Sequence, residues 1–237
     1  MSDLLRLDKI LSLAGITRTS ARKIIAAGRV TVGDTVQRDP GFKARIPDVR
    51  VDGELPGAET EIHLMLNKPA GVITATEDKK LPTVVDLLPE KYQNRKIGPV
   101  GRLDRDVTGL VILTTDGEMA HRLISPRHKA EKRYRAICEG SLTQADADAF
   151  AAGIELSDFT ALPAKLEILS SGESESTADV ILTEGKFHQV KRMFIAIGHP
   201  LKSLSRLQIG GVTLDPALKE GEFRPLTESE IQNLRSY

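Results

Sequence analysis

Apolar side chains recur at Leu7, Ile10, Leu11 and Ala14, the i, i+3, i+4, i+7 spacing of an amphipathic helix, and Gly15 follows as its stop. The same period predicts a second helix over about 20–27, with Ala21, Ile24 and Ile25 inward and Gly28 ending it. The period then drops to two. Val30, Val32 and Val36 bracket Gly33-Asp34, which predicts a hairpin. "VDGELPGAETE" (51–61) is aperiodic and rich in Gly, Pro and acid, and reads as a linker. After it come short strands and helices without a βαβ rhythm. Strands are expected in "IHLMLN", "GLVILTT", "RYRAICEG", "AKLEIL" and "TADVILT". Helices are expected over about 118–124, after an Asp116-Gly117 turn, and over about 143–153. A third lies in "HQVKRMFIAIG", with Val190, Met193, Phe194 and Ile197 inward and Gly198 as its stop. Thr227 and Glu230 have capping-box spacing, with Leu226 and Ile231 as the hydrophobic staple. The fold class is α+β: a small N-terminal α/β module over 1–50, then the linker, then a domain over 62–237.

Composition narrows the partners. The 237 residues suffice for a sizeable core, and the net formal charge is zero. No apolar run approaches the roughly 20 residues of a membrane-spanning helix, so no membrane partner is expected. The start lacks a basic-then-apolar signal region. One cysteine, Cys138, excludes an internal disulfide and suits a reducing cytoplasm; in its strand it reads as a buried, inert thiol. Zero net charge conceals blocks of one sign. Residues 1–46 carry nine Lys/Arg against four Asp, residues 119–135 six against one, and residues 186–206 five against none. Residues 139–184 hold ten acids and one lysine. Such segregation predicts a basic surface with an acidic back, and nucleic acid as the natural partner.

Several chemistries find no template. There is no phosphate-cradling Gly-rich loop ending in Lys-Ser/Thr and no dinucleotide fingerprint. The five histidines and one cysteine lack zinc-like spacing, so no metal is expected, and His63 and His199 read as structural. No Gly-x-Ser-x-Gly elbow is present. Asp104, in "GRLDRDVTGLVILTTDG", is the candidate that remains. An acid at a strand–turn junction commonly bonds nearby backbone N–H groups. Here Arg102 and Arg105 flank it, and cations favour the ionised form even when it is partly desolvated. Thr108 and Gly109 are small enough to let a ligand approach the backbone, and the apolar run beyond them would be a rigid mount.

Two resemblances follow from these stretches. "LRLDKILSLAGITRTSARKIIAAGRVTVGD" resembles the S4-type RNA-binding domain, which implies a structured-RNA partner for Arg6, Arg18, Arg22, Lys23 and Arg29. "GRLDRDVTGLVILTTDG" resembles the catalytic-aspartate motif of pseudouridine synthases. "LNKPAGVITATED", "SPRHKAEKRYRAICEG", "EGKFHQVKRMFIAIGHPLKSLSRLQIGG" and "LKEGEFRPLTESEI" extend that resemblance, in order, across almost the whole chain. The branch they resemble most is the one named for the ribosomal small subunit, with an S4-type domain in front. The fold so implied is a mixed, mainly antiparallel sheet flanked by helices.

Carried over by motif, the resemblance implies that Asp104 attacks or deprotonates the nucleoside. It implies that Tyr134 packs on the uracil and that Lys191 pairs with the aspartate. Arg102 is implied to help extrude the base, with Thr108, Gly109, His188, Gln189 and Arg192 on the substrate side. Arg127 and Lys129 belong to a basic segment expected to grip flanking phosphates. The implied isomerisation gains no atoms and involves no redox change, so no cofactor is expected. Val107 stands where this branch commonly has Thr or Ser, and Lys191 where Arg is commoner across the synthases. The pair His188-Gln189 is familiar in the small-subunit branch, whereas large-subunit relatives tend to show Asn-Arg. The expected substrate is therefore 16S rRNA or its precursor particle. The alternatives are the same chemistry on 23S rRNA, a non-catalytic assembly factor, and a tRNA-directed S4-domain synthetase. The last is disfavoured by the missing nucleotide motif. No obligate protein partner is implied, and a monomer is the default.

Overall fold

A computed structural model describes residues 4–56, 61–125 and 127–237. They form two compact units: the chain up to Ile62 together with Leu88–Ile97, and His63–Leu87 together with Gly98–Tyr237. The sequence reading places all of 62–237 in the second domain; by compactness, Leu88–Ile97 sits with the first unit.

In the first unit, β1 (Leu5–Arg6) leads into α1 (Leu7–Leu13), whose Leu7, Ile10 and Leu11 are fully buried. Gly15, at φ +80°, takes the left-handed conformation that ends the helix. α2 (Arg18–Ala26) begins two residues earlier than expected, because the Thr17 hydroxyl caps it by accepting from the Ser20 amide. β2 (Val30–Val32) and β3 (Thr35–Gln37) form the predicted hairpin around Gly33-Asp34. β4 (Lys43–Ala44) pairs with β1, and β5 (Val49–Val51) joins β2 on the side away from β3. Ala21, Ile25, Val30, Ala44 and Val49 complete the core with the α1 residues. The short α3 (Glu90–Gln93) belongs to the returning segment, and the nearby Arg95 guanidinium donates to the Leu13 carbonyl. Of the expected linker, Val51 lies in β5 and bridges Glu54, and residues 57–60 lie outside the described residues.

The second unit is one mixed sheet. Its strands are β6 (His63–Lys68), β7 (Gly98–Pro99), β8 (Thr108–Thr114), β9 (Lys132–Glu139) and β10 (Lys165–Ser170), followed by β11 (Glu175–Leu182), β12 (Leu201–Ile209), β13 (Val212–Thr213) and β14 (Phe223–Pro225). The order is β10-β11-β9-β12-β8-β6-β14, with β13 on β12 and β7 on β8. Every pairing is antiparallel except β8 with β12. β8 is buried along almost its whole length. Its Leu110 and Ile112 pack with Met65, with Met119 and Leu123 of α4 (Gly117–Ile124), and with Leu234 of α7 (Glu228–Arg235). Phe150 of α5 (Gln144–Ala152) meets Phe194 of α6 (Gln189–Ala196) edge to face at 5.3 Å. Asp116 is not a turn residue but the N-cap of α4, accepting from the Met119 amide. The Thr227–Glu230 capping box forms as its spacing requires. β12 was not anticipated. Its Lys202, Ser203, Ser205, Arg206 and Gln208 hide the apolar alternation, and one of them, Arg206, is itself buried. Among the described residues no helix is long and apolar enough to cross a membrane.

Candidate active site

Asp104 sits on the turn between β7 and β8, and that turn is held from below by a buried cation. Lys68, fully buried at the end of β6, donates to the carbonyls of Val107 (2.8 Å), Pro69 (3.0 Å) and Arg105 (3.2 Å). Burial lowers its ammonium pKa to about 8, against the opposing pull of Asp106 and Asp104. On the neighbouring side Thr74 both accepts from the Leu103 amide and donates to the Leu103 carbonyl. The carboxylate is therefore mounted on a backbone with little freedom.

Around it the second unit closes a pocket lined by Arg102, Asp104, Tyr134, His188, Lys191 and Leu204, among others. Lys191, on the first turn of α6, places Nζ 3.0 Å from Asp104 Oδ2. The same ammonium donates to Asp106 at 2.7 and 2.9 Å. Burial works against the Lys191 charge, but the two carboxylates outweigh it and raise its pKa. Asp106, bonded to that lysine, is held below the ordinary carboxylate value. His188 Nε2 lies 3.4 Å from Asp104 Oδ1. Tyr134, from β9, is buried and forms a wall of the pocket. The assembly offers a fixed carboxylate, a cation beside it, a flat aromatic wall and an open mouth at which Arg102 is exposed. Among the described residues no group of three or more His, Cys, Asp or Glu side chains is placed to hold a metal ion.

The structure thus gathers Asp104, Tyr134, Lys191, Arg102 and His188, drawn from positions 102 to 191 of the chain. Other expectations need correction. Thr108 and Gly109 do not open a path for a ligand; they pair with Ser205 and Arg206 of β12. A Cβ on Gly109 would meet the Arg206 carbonyl oxygen at 2.3 Å, so the small residue serves a close approach of two strands. Gln189 lines the pocket as well, with its side-chain amide accepting from the Lys186 amide and donating to Glu184. Arg192 turns away to Asp158 and Ser157. Asp106, 73% exposed, shares the lysine with Asp104 while remaining at the surface.

The charge blocks behave differently from their sequence pattern. On the β9–β11 ladder Arg135 stands opposite Asp179, and both Arg133 and Arg135 bond that buried carboxylate. Arg133 also reaches Glu167, and Lys202 pairs with Glu175. Much of the acidic segment is thus neutralised by the basic ones rather than forming a separate face. In the first unit Arg6 is engaged by Asp8 and Arg29 by Asp52, while Arg18, Arg22 and Lys23 are exposed. Arg127 and Lys129 are exposed in the second unit. His63 bonds the Thr114 hydroxyl, His199 bonds the Glu139 carbonyl, and Cys138 is buried with its thiol pKa raised by burial. Two residues near the site went unread in the sequence. Lys68 looks like the polar end of a strand, and lysine is so seldom fully buried that nothing in the sequence marks it. Asp106 sits two positions from Asp104, close enough in a turn to share one partner.

Residues 62–196 match the model of the RNA pseudouridylate synthase family, and residues 5–51 match that of the S4 domain. The chain is 41% identical over 236 residues to the ribosomal small subunit pseudouridine synthase A of Escherichia coli, covering 97% of this chain and all of that one. It is 39% identical to an uncharacterized RNA pseudouridine synthase of Bacillus subtilis, over 97% of this chain and 98% of the other. A crystal structure of a pseudouridylate synthase superposes with a TM-score of 0.69 at 38% identity, covering 97% of this chain and 99% of that one. The chain therefore belongs to the RNA pseudouridylate synthase family, isomerases of uridine in RNA, and carries an S4 domain ahead of the synthase domain.

Proposed function

We propose that this enzyme isomerises a specific uridine of 16S rRNA, free or in its precursor particle, with Asp104 as the reacting carboxylate and no cofactor. The observation that carries the reading is the convergence of Asp104, Lys191 and Tyr134 on one pocket, with the carboxylate 3.0 Å from the ammonium. A binding protein gains nothing from a carboxylate aimed into its site, since RNA phosphates would be repelled. In the reaction the bond from the sugar C1′ to the uracil N1 breaks, and the ring turns against a flat wall. C1′ then joins C5; the C5 proton leaves and N1 ends protonated, so atoms and electrons balance within the substrate. Tyr134 supplies the wall, and its hydroxyl would serve the proton transfer at C5. Lys191 pairs with the carboxylate, and Asp106 holds the lysine in place. Drawing the nucleotide out of folded RNA costs a few kcal/mol, which stacking and phosphate contacts offset. Arg102 at the mouth of the pocket suits that step. Arg18, Arg22 and Lys23, exposed on the S4 unit, and Arg127 and Lys129 suit phosphate contacts elsewhere on the RNA. The small-subunit assignment is supported by His188-Gln189 and by the name of the Escherichia coli relative.

The test is to map pseudouridines in both rRNAs from cells with and without the protein, complemented by wild type or Asp104→Asn. One site in 16S rRNA should vanish without the protein and return only with the wild type, while the purified Asn variant binds the RNA within a few-fold of wild type. A missing site in 23S rRNA would overturn the small-subunit assignment, and turnover by the Asn variant would overturn the role of Asp104.

A further inference from the structure

We propose that Phe187 is a stacking platform for a nucleobase of the bound RNA, next to the nucleotide drawn into the pocket. This rests on the function proposed above. At 76% exposure Phe187 is the most exposed large apolar side chain among the described residues. An isolated phenyl in water contributes nothing to the core, and its setting is not that of a loose loop.

The Gln189 side chain closes the loop on itself, accepting from the Lys186 amide at 2.9 Å and donating to the buried Glu184. His188 is held in the left-handed region at φ 50°, a conformation that non-glycine residues adopt only when their surroundings enforce it. Its ring stacks on that of Phe187 with centroids 3.7 Å apart and planes 20° from parallel. One face of the phenyl is thus covered and its orientation set, and the large exposure belongs to the remainder of the ring. The ladder continues inward, since the His188 imidazole lies 3.4 Å from Asp104. A base on the outer face of Phe187 would stand one stack beyond the rim of the pocket.

The surroundings favour RNA over an apolar protein segment. The neighbours along the loop are Gly185, Lys186 and His188, none of them a large apolar side chain. The Lys186 ammonium is carried over the Phe159 ring at 3.7 Å, where it can also meet a phosphate. A rigid aromatic beside a cation is the device by which proteins hold unpaired bases without reading their identity.

The test uses Phe187→Ala, Phe187→Leu and Phe187→Tyr in the full-length enzyme. Readouts are pseudouridine formation on a 16S rRNA transcript and the binding of an oligouridylate carrying one 2-aminopurine, whose fluorescence is quenched by stacking on an aromatic ring. Tyr should retain quenching and affinity. Ala and Leu should both lose the quenching and weaken binding by about 5- to 100-fold, with unchanged circular dichroism. Quenching and affinity equal to wild type in the Ala variant would overturn the platform. So would wild-type affinity in the Leu variant, since greasy area without a π-face would then suffice. If wild type binds and quenches through Phe187 yet forms no pseudouridine in the transcript or in cells, the platform stands and the proposed reaction falls. If wild type forms pseudouridine and none of the substitutions alters quenching or affinity, the reverse holds.

Discussion

Replacing Lys68 by Met tests the mount beneath Asp104. The side chain is fully buried, and among the described residues its ammonium donates to three backbone carbonyls and touches no carboxylate. Burial lowers its pKa from the ordinary 10.5 to about 8. Between those values the unfolded chain binds the proton more tightly than the folded one, so stability rises as pH climbs from 8 to 10.5. A gap of 2.5 units corresponds to roughly 3 kcal/mol across that window. With a urea slope on the order of 2 kcal/mol per molar, the midpoint moves up by roughly 1.5 M. Lys132, half-buried and also lowered to about 8, contributes equally to wild type and variant. The difference between the two proteins therefore isolates Lys68. Urea unfolding followed by circular dichroism, at intervals from pH 7 to 10.5, should show the wild-type midpoint rising by roughly 1.5 M more than that of Lys68→Met. Pseudouridine formation should fall as well. The carbonyls of Arg105 and Val107 lose their anchor, and a displacement of 1 Å at a reacting group costs on the order of 100-fold. A variant with the wild-type pH slope would refute the account of burial, and one with full activity would refute the account of the mount.

Gly109→Ala should cost roughly 2–5 kcal/mol, because the position combines φ +98° with a 2.3 Å approach to the Arg206 carbonyl. Gly117→Ala, with open space around it, should stay within about 0.5 kcal/mol in the same urea titration. Asp179 is held below the ordinary carboxylate value: burial opposes its charge, and Arg135 and Arg133 overcome that. Its contribution is present above the unfolded pKa and is lost as pH falls through the folded one. The double variant Arg133→Ala/Arg135→Ala should lose roughly 3–5 kcal/mol in thermal melts at pH 7, with partial recovery on adding Asp179→Ala. Absence of recovery would place the loss in packing rather than in a stranded charge.

What the sequence determined by itself is local or linear. α1, α2, α4, α5 and α6, the hairpin around Gly33-Asp34 and the box at Thr227 follow from spacing within a few residues, because caps and turns close over that range. The ordered motifs identified the family and singled out Asp104, Tyr134 and Lys191. What the tertiary structure alone decided depends on which distant segments lie side by side. The β9–β11 register sets Arg135 against Asp179 and so joins two charge blocks in an ion-pair cluster around one buried carboxylate. The parallel contact of β8 with β12 explains Gly109, and the turn after β7 hands one lysine to two carboxylates. Strands two or three residues long, and β12 with its polar alternation, leave too little periodicity to be read from the chain. Pairing energies between groups 40 to 100 residues apart have no local signature, so only the folded sheet reveals them.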